Sequence, residues 1–154
     1  MGVGIYDNSI DEFIEYSNNA LNNFDFSPSY RVDFIFSASD FRLDDIIKIA
    51  DLKSIWGQGV EEPLVAIEHI NVTKDKIQLL SRDKNHTLKI TLPSGMSLIK
   101  FRSSEEEYES LCSDSGCVTI NVVGKCGKNE WNGAISPQIM IEDYEIVSTS
   151  KYYF

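Results

Sequence analysis

The chain lacks the features that place a protein in a membrane or send it across one. No stretch approaches about 18 consecutive apolar residues. The first residues, MGVGIYDNSIDEF, contain neither a basic start nor an apolar signal core. We therefore expect a cytoplasmic location and no membrane partner. Apolar residues make up 42% and charged residues 25% of the 154 residues, which is typical of a folded domain with a real core.

Cysteine and histidine are both scarce. The three cysteines, Cys112, Cys117 and Cys126, leave one unpaired in any disulfide scheme, so we expect reduced thiols. A zinc site needs about four ligands at short paired spacings. The cysteines are five and nine residues apart and the two histidines, His69 and His86, lie far away in sequence, so the sequence predicts no metal site.

Positive charge is also in short supply, but it is unevenly distributed. The net charge of −10 argues against a nucleic-acid partner, because phosphate binding depends on lysine and arginine. Residues 63–103, however, hold seven basic and three acidic residues, whereas the segments on both sides are acidic. The basic charge is therefore concentrated in one central segment.

The first part of the chain has the pattern of mixed helix and strand. Helical spacing of apolar residues predicts helices over residues 9–24 and 42–55, and alternation in YRVDFIFS predicts a strand between them. The stretch WGQGVEEP, residues 56–63, is a turn-rich break. We place a domain boundary there and predict a helix-strand-helix segment over residues 1–56 that packs on the rest of the chain.

The rest of the chain has strand patterns interrupted by one helix. The order is strand, strand, strand, helix, strand, strand, if the first run is a single strand bent near residues 73–76 and SSEEEYESLC is the helix. This is the order of the OB-fold, a five-stranded barrel with its helix between strands three and four, although other small barrels also accept five strands. We predict an α+β, mainly β fold, with a five-stranded OB barrel over residues 63–147 and a tail over residues 148–154.

Two strands of this barrel carry basic side chains. In HTLKITL, apolar residues alternate with polar ones, and Lys89 lies at the centre of the polar face. In MSLIKFR, if Ile99 and Phe101 point inward, Lys100 and Arg102 project together from the other face. OB-folds bind oligonucleotides on this face, so the candidate oligonucleotide contacts are Lys89, Lys100 and Arg102. The alternative is that solvent-facing lysines only keep a small barrel soluble.

The stretch GKCGKNEWNGAIS has the pattern of a hairpin that carries functional side chains. Asn132 and Gly133 form the strongest two-residue hairpin signal. Trp131 either folds back to close one end of the barrel or stacks on a base, and the sequence leaves both open. The candidate contacts in this hairpin are Lys125, Lys128, Asn129, Trp131 and Asn132.

The sequence contains no complete catalytic motif. It has no close His-Asp cluster, no phosphate-cradling glycine loop and no nucleophile beside a base. Glu105, Glu106 and Glu107 fan around a helix instead of converging on a metal ion, and acidic first turns are ordinary complements of the helix dipole. We therefore predict no catalytic residue, no metal site and no cofactor site in this chain.

Two stretches of the sequence resemble the C-terminal part of RecJ, the family of bacterial single-stranded-DNA-specific exonucleases. NEWNG, residues 129–133, matches a hairpin of the family throughout. WGQGVEEP is similar to the segment that introduces the family's OB domain, with Trp56, Val60 and Glu61 departing from it. The N-terminal part is similar to the tail of the DHH-associated domain that precedes the OB domain in the family.

The resemblance implies a function. Members of the family hold metal ions, Mn²⁺ or Mg²⁺, in a DHH-family core and degrade single-stranded DNA from the 5′ end, in DNA repair and recombination. This sequence contains none of the Asp-His-His motifs of that core. The resemblance therefore implies a fragment of a longer exonuclease that grips the single strand and is itself non-catalytic. Its implied partners are single-stranded DNA, the catalytic domains of the same protein and single-strand-binding protein.

Two functions are compatible with these patterns. The first is an OB module that binds single-stranded DNA at about micromolar affinity or weaker, with a steep loss in salt. The second is a structural or protein-interaction domain that packs on the catalytic core or on a replication partner. The second is favoured if Lys89, Lys100 and Arg102 are scattered over different faces, or if they are buried in ion pairs with the glutamate-rich helix.

Overall fold

A computed structural model of the protein describes residues 4–25, 29–82, 85–112 and 116–150. The chain divides into two compact units, residues 1–30 and 31–154. The first unit contains a 3-10 turn, Asp7–Ser9, followed by helix α1, Ile10–Leu21. The helix predicted for this part of the chain is therefore present, and the two carboxylates in its first turn complement the helix dipole.

The second unit contains two further helices and all the strands that the structure describes. Helix α2 spans Leu43–Asp51 and continues as a 3-10 turn, Leu52–Ile55, while α3 spans Glu105–Leu111. The strands are β1 (Phe34–Ser37), β2 (Leu64–Thr73), β3 (Ile77–Arg82), β4 (Asn85–Thr91), β5 (Ser97–Ser103), β6 (Cys117–Trp131) and β7 (Ala134–Ser150). Each of these elements falls on a stretch where the sequence predicts an element of the same type.

The seven strands lie in one sheet, in the order β1-β2-β6-β7-β5-β4-β3. Neighbouring strands are antiparallel, except for the β1–β2 and β5–β7 pairs, which are parallel. A 3-10 turn at Lys74–Lys76 separates β2 from β3. One continuous stretch of chain therefore supplies both the strand that pairs with β6 and the strand that pairs with β4.

The fold is mainly β, as predicted, and its one sheet has seven strands where the predicted barrel has five. The difference arises because the bent first strand is divided into β2 and β3, and because β1 adds a strand alongside β2. Both β1 and α2 belong to the same compact unit as the other strands. The domain limits 1–56, 63–147 and 148–154 remain predictions.

The core lies on one face of the sheet, here called the inner face. Leu88 and Ile90 of β4 point to this face and are buried, and the opposite side of the sheet is the outer face. In β2, an irregularity between Ile67 and Ile70 keeps both residues buried, with His69 in the left-handed region at φ 60°. The helices contribute Ile46, Ala50 and Leu111 to the same core.

Helix α3 begins with a capping box. Ser104 Oγ accepts a hydrogen bond from Glu107 N at 3.2 Å, and Glu107 Oε2 accepts one from Ser104 N at 3.0 Å. Two backbone donors that have no partner within the helix are thereby satisfied. The capping box fixes the start of α3 and holds the Glu107 carboxylate in a defined position beside β5.

The described helices, acidic side chains and thiols bear on membrane spans and metal sites. None of the helices in the described ranges is both long and apolar enough to cross a membrane. Within those ranges, no group of three or more His, Cys, Asp or Glu side chains could hold a metal ion, and the three cysteines are buried, unpaired thiols. The cytoplasmic location and the lack of a cofactor remain predictions.

Candidate nucleic-acid interface

The outer face brings together residues from four strands. Lys89 on β4 lies opposite Ile99 on β5, which lies opposite Met140 on β7. Met140 in turn lies opposite Lys125 on β6. Residues opposite each other in neighbouring strands share a face, so these four residues form one row across the sheet. At about 4.8 Å per strand, Lys89 and Lys125 are roughly 14 Å apart.

The alternation predicted for β4 is confirmed. Leu88 and Ile90 are buried on the inner face, while Thr87 and Lys89 are half-buried on the outer face. Among the described residues, no carboxylate forms an ion pair with Lys89. Its ammonium group is therefore available to a ligand on the outer face.

The predicted orientation of β5 is wrong by one residue. The prediction points Ile99 and Phe101 inward, but Leu98 is the fully buried residue and Phe101 is 59% exposed. Leu98 lies opposite Ile90, which fixes it on the inner face. Because side chains alternate along a strand, Lys100 shares the inner face with Leu98, and Phe101 shares the outer face with Lys89.

Lys100 is held in an ion pair on the inner side of the sheet. Its Nζ lies 2.7 Å from Oε1 of Glu107 on α3 and 6.0 Å from the centre of the Tyr144 ring. The Lys100 side chain is only 16% exposed. This ion pair with the glutamate-rich helix is the arrangement that favours a structural or interaction domain, and it separates Lys100 from Lys89.

A bulge at the end of β5 exposes two neighbouring residues. Arg102 has a φ of 57°, and the β4–β5 register shifts at this point. Ser103, the next residue, is buried, and its Oγ donates to the carbonyl oxygen of Lys100 at 3.0 Å. The alternation is interrupted, so Phe101 and Arg102 are both exposed. No carboxylate of the described residues forms an ion pair with Arg102.

A groove separates the end of β5 from β7. The last residues that these two strands pair are Ile99 and Met140, and the strands part beyond that point. The groove has a volume of about 590 Å³, and Phe101, Arg102, Met140 and Glu142 are among the residues that line it. Phe101 was missed in the sequence because either phase of SLIKF places an apolar residue inward, so alternation alone does not show which residue is exposed.

The hairpin between β6 and β7 is closed by a two-residue turn. Asn132 and Gly133 have φ values of 49° and 79°, the positive values that a type I′ turn requires. Trp131 lies opposite Ala134 and is 73% exposed. The indole therefore does not close one end of the barrel, and of the two positions that the sequence left open for Trp131, the exposed one is observed.

The outer face continues along β6 from the row to the tip of this hairpin. Lys125, Gly127, Asn129 and Trp131 occupy alternate positions, so they share the outer face. Four of the eight predicted contacts therefore lie on one face of the sheet, and these are Lys89, Lys125, Asn129 and Trp131. Of the others, Arg102 lies at the bulge, Asn132 lies in the turn, and Lys100 and Lys128 belong to the inner side.

Two carboxylates hold Lys125 on the outer face. Its Nζ lies 3.3 Å from Oε1 of Glu142 and 3.6 Å from Oε2 of Glu62. The hydrogen bond to Glu142, followed by the charge of the two carboxylates, raises the pKa of Lys125. Lys125 therefore stays protonated, but a phosphate that binds it must compete with both glutamates.

Lys128 is also held by two carboxylates, on the inner side of β6. Its Nζ lies 2.7 Å from Oε1 of Glu130 and 3.0 Å from Oδ1 of Asp51 at the end of α2. Hydrogen bonds to Glu130 and then to Asp51 raise the pKa of Lys128. The contact with Asp51 ties the hairpin to α2, and the structure does not bring Lys128 together with the outer-face residues.

The fold is that of an OB-type domain: a mainly β sheet with a short capped helix before its last two strands. A family model described as the RecJ OB domain matches residues 32–143. The chain belongs to this family. The matched range includes β1 and α2 as well as the strands from β2 to β6.

Relatives with curated names are similar over most of the chain. YorK, an SPbeta prophage-derived protein of Bacillus subtilis (strain 168) whose name describes a single-strand DNA-specific exonuclease, is 34% identical over 120 residues. These residues are 78% of this chain and 21% of YorK. The single-stranded-DNA-specific exonuclease RecJ of the same organism is 28% identical over 132 residues, which cover 84% of this chain and 16% of that protein.

Solved structures of RecJ from Thermus thermophilus are similar in fold. The structure of the complex with Mn²⁺ aligns with 97% of this chain and 21% of that chain, at a TM-score of 0.56 and 13% identity. The structure of the complex with Mg²⁺ gives a TM-score of 0.51 at 14% identity. This chain therefore spans about a fifth of the length of the relatives that it matches.

Proposed function

We propose that this domain binds single-stranded DNA on its outer face, as a non-catalytic module of a RecJ-like 5′–3′ single-stranded-DNA exonuclease. One observation carries the proposal: Lys89, Phe101, Lys125 and Trp131 lie on the same face of the sheet although they come from three strands. Membership of the RecJ OB domain family supports the choice of ligand, as do the names of the relatives, which describe exonucleases specific for single-stranded DNA.

The side chains of the outer face have the chemistry that single-strand binders use. Such proteins combine cations that follow the phosphates with aromatic rings on which bases stack. In our proposal, Lys89 and Arg102 contact phosphates, while Phe101 and Trp131 each stack on a base. Each stacked base contributes about 1–3 kcal/mol and tolerates any sequence, because every base has a π-face.

The contacts that we propose are fewer than those predicted from the sequence. Lys100 and Lys128 are assigned to the attachment of α3 and α2, because both are paired with carboxylates on the inner side. Asn129 and Asn132 stay in the proposed set as hydrogen-bonding groups near the hairpin tip. Lys125 contacts a phosphate only when Glu62 and Glu142 release it.

The proposed binding is weak. Few cations on the outer face are free of carboxylates, and the net charge of −10 repels a polyanion from the rest of the surface. We expect a dissociation constant of about 1–100 μM at physiological salt, which is the range of non-specific nucleic-acid binding. The same repulsion confines the strand to the outer face.

Other parts of the proposal depend on family membership alone. They are a role of the parent protein in DNA repair and recombination, a cytoplasmic location, and a catalytic core outside this chain that uses Mn²⁺ or Mg²⁺. The described residues do not fit a metal site, so no step of the proposed binding uses a metal. The catalytic domains of the parent and single-strand-binding protein are proposed partners on the same basis.

Fluorescence anisotropy of a labelled oligothymidine, at low and at moderate salt, tests the proposal. Lys89→Glu and Phe101→Ala should each weaken binding at least about fivefold, the effect of one lost stacking or phosphate contact. Lys48→Glu on α2 is the matched control, because it changes the net charge by the same amount at an exposed position away from the outer face. If the wild-type protein shows no saturable, salt-sensitive binding, the proposal fails.

One observation favours a second function, that of a structural or protein-interaction domain. The ion pair between Lys100 and Glu107 removes a predicted DNA contact and uses it to attach α3. A domain that only packs against another protein would show no response of oligothymidine affinity to Lys89→Glu beyond that of Lys48→Glu. The same anisotropy titration therefore separates the two functions.

A further inference from the structure

A second concave site lies beside the outer-face row, at the start of β2. It is a pocket of about 830 Å³, and its lining includes Trp56, Pro63, Arg31, Lys53 and Lys125. Ligand sites in proteins have volumes of about 300–1,000 Å³. The pocket is therefore large enough for a nucleotide, and no residue of the proposed outer-face site other than Lys125 belongs to it.

One wall of the pocket is a turn with little side-chain cover. Gly57 N donates to Val60 O at 2.8 Å, and Val60 N donates back to Gly57 O at 3.2 Å. Gly59 has a φ of 88°, which favours glycine, and a Cβ placed at either glycine would meet nothing within 4 Å. The turn is held by its own hydrogen bonds and leaves its backbone open to a ligand.

Two of the three carboxylates of the pocket are already engaged. Asp33 Oδ2 accepts a hydrogen bond from Leu64 N at 2.9 Å, which fixes the start of β2. Glu62 is paired with Lys125 at 3.6 Å. Glu61 is exposed and is the third. The pocket therefore repels an anionic ligand less strongly than its three acidic residues alone would suggest.

The cations and the indole of the pocket are free to contact a ligand. Arg31 and Lys53 are exposed, and neither forms an ion pair with a carboxylate of the described residues. Trp56 is half-buried and is one of the residues that line the pocket. Two free cations beside one indole can bind a phosphate and an aromatic base at the same time.

Lys125 connects this pocket to the outer face. It is the last member of the row that begins at Lys89, and it lies opposite Leu64, which also lines the pocket. From β4 to β2 there are four strand spacings, or roughly 19 Å across the sheet. A single strand that crosses the outer face therefore reaches the pocket after a few nucleotides.

We infer that the pocket binds one further nucleotide of the same single strand, with the base stacked on Trp56 and a phosphate held by Arg31 and Lys53. The inference rests on the proposed function, because the strand reaches the pocket by crossing the outer face. It assigns to WGQGVEEP, the turn-rich break before β2, a direct role in binding.

The two tryptophans of the chain allow the inference to be tested by emission. Trp131→Phe keeps a ring at the hairpin tip and leaves Trp56 as the only tryptophan. Binding of an oligothymidine of about 16 nucleotides, the upper end of OB-fold site sizes, should then quench the tryptophan emission. In the wild-type background, Trp56→Ala should lower the affinity at least about fivefold. Lys53→Glu should reduce the slope of log affinity against log salt by about 1, whereas Lys48→Glu should not.

Failure of the inference is distinguishable from failure of the proposed function. Suppose that the oligothymidine binds and that Lys89→Glu weakens binding, but Trp56 emission does not change and Lys53→Glu has the same salt slope as Lys48→Glu. The inference about the pocket is then overturned, and the proposal for the outer face is retained. If the wild-type protein itself shows no saturable binding in anisotropy, both the pocket and the outer-face proposal are overturned. Circular dichroism of Trp56→Ala and Lys53→Glu shows that a loss of affinity does not come from unfolding.

Discussion

At the scale of single residues, a DNA phosphate must compete with two carboxylates for the ammonium group of Lys125. It lies in the outer-face row and at the edge of the Trp56 pocket, yet both Glu142 and Glu62 contact its ammonium group. A DNA phosphate would have to replace these carboxylates. Each exposed ion pair contributes about 0.2–1 kcal/mol, so the two carboxylates weaken phosphate binding only modestly.

Removal of one competing charge should strengthen DNA binding. We expect Glu142→Gln to raise the affinity for oligothymidine about two- to fivefold at low salt, because Lys125 then loses its nearer carboxylate. Anisotropy titrations check this. Glu109→Gln on α3 is the control, since it changes the net charge equally at another exposed position. An equal gain in both variants would show that only net charge matters.

Substitution of Lys100 should lower stability, whereas substitution of Lys89 should lower the affinity for DNA. Lys100→Met leaves the Glu107 carboxylate without its cation, and we expect a loss of about 1–2 kcal/mol in the free energy of unfolding, discounted for partial exposure. Lys89→Met should change stability by less than about 0.5 kcal/mol. Urea denaturation measures both. In anisotropy the order should reverse, with Lys89→Met the weaker binder, and a Lys100→Met protein that folds normally but loses DNA affinity would contradict our assignment.

The orientation and partners of individual side chains are the features that the sequence predicts least well. The alternation in β4 is unambiguous, because only one of its phases is apolar, and it places Lys89 correctly. In β5 both phases contain apolar residues, so the choice depends on contacts with Ile90 that the sequence does not display. The carboxylates that hold Lys125 and Lys128 include Glu62 and Asp51, which are far away along the chain and become neighbours only through the fold.

At the scale of elements, the hairpin of β6 and β7 depends on a close approach of backbones. A Cβ at Gly124 would collide with the carbonyl oxygen of Met140, which cannot move without moving the strand. A Cβ at Gly127 would instead meet Cγ of Gln138 at 3.2 Å, and that side chain can rotate away. A methyl group should therefore destabilise the protein more at Gly124 than at Gly127.

Gly124→Ala should destabilise the protein by about 1–3 kcal/mol, the usual cost of overpacking. Gly127→Ala, in the same strand, is the matched comparison and should cost less than about 1 kcal/mol. Thermal and urea unfolding, followed by circular dichroism, provide the measurement. Equal losses in the two variants would mean that the strands adjust to the methyl group more easily than their backbone contact suggests.

Elements are more predictable than side-chain partners because their signals are local. The capping box of α3 needs only Ser104 and Glu107, three positions apart, and the hairpin turn needs only Asn132 and Gly133. The position of α3 before the last two strands follows from the order of the elements. By contrast, the parallel pairing of β1 with β2 leaves no short-range pattern, so this addition to the sheet could not be read from the sequence.

At the scale of the whole molecule, the buried thiols provide a test of whether the protein unfolds cooperatively. Burial, followed by the charge of Glu62, raises the pKa of Cys126 to about 12. In the folded state the thiolate is therefore almost absent near pH 8, and it becomes populated only when the chain unfolds and the ordinary pKa returns. Because the folded protein binds this proton more tightly, stability should fall as the pH rises through the range from about 9 to 12.

Because all three cysteines are buried, they should resist alkylation by iodoacetamide at pH 8 and react together as urea unfolds the protein. Mass spectrometry of the labelled chain, compared with the circular-dichroism transition, checks this. Rapid labelling of Cys126 in the absence of urea would contradict its burial in the core and would show that β6 opens locally.

The break at Lys74–Lys76 has a consequence for the order in which the domain can fold. β3 can pair with β4 as soon as both have been made, since they are adjacent in sequence. β2 precedes both but must wait for β6, whose residues from Cys117 onward are synthesised much later. During synthesis, β3, β4 and β5 can therefore form a three-stranded meander while the edge of β2 that pairs with β6 is still exposed. An exposed strand edge is prone to aggregation at this stage.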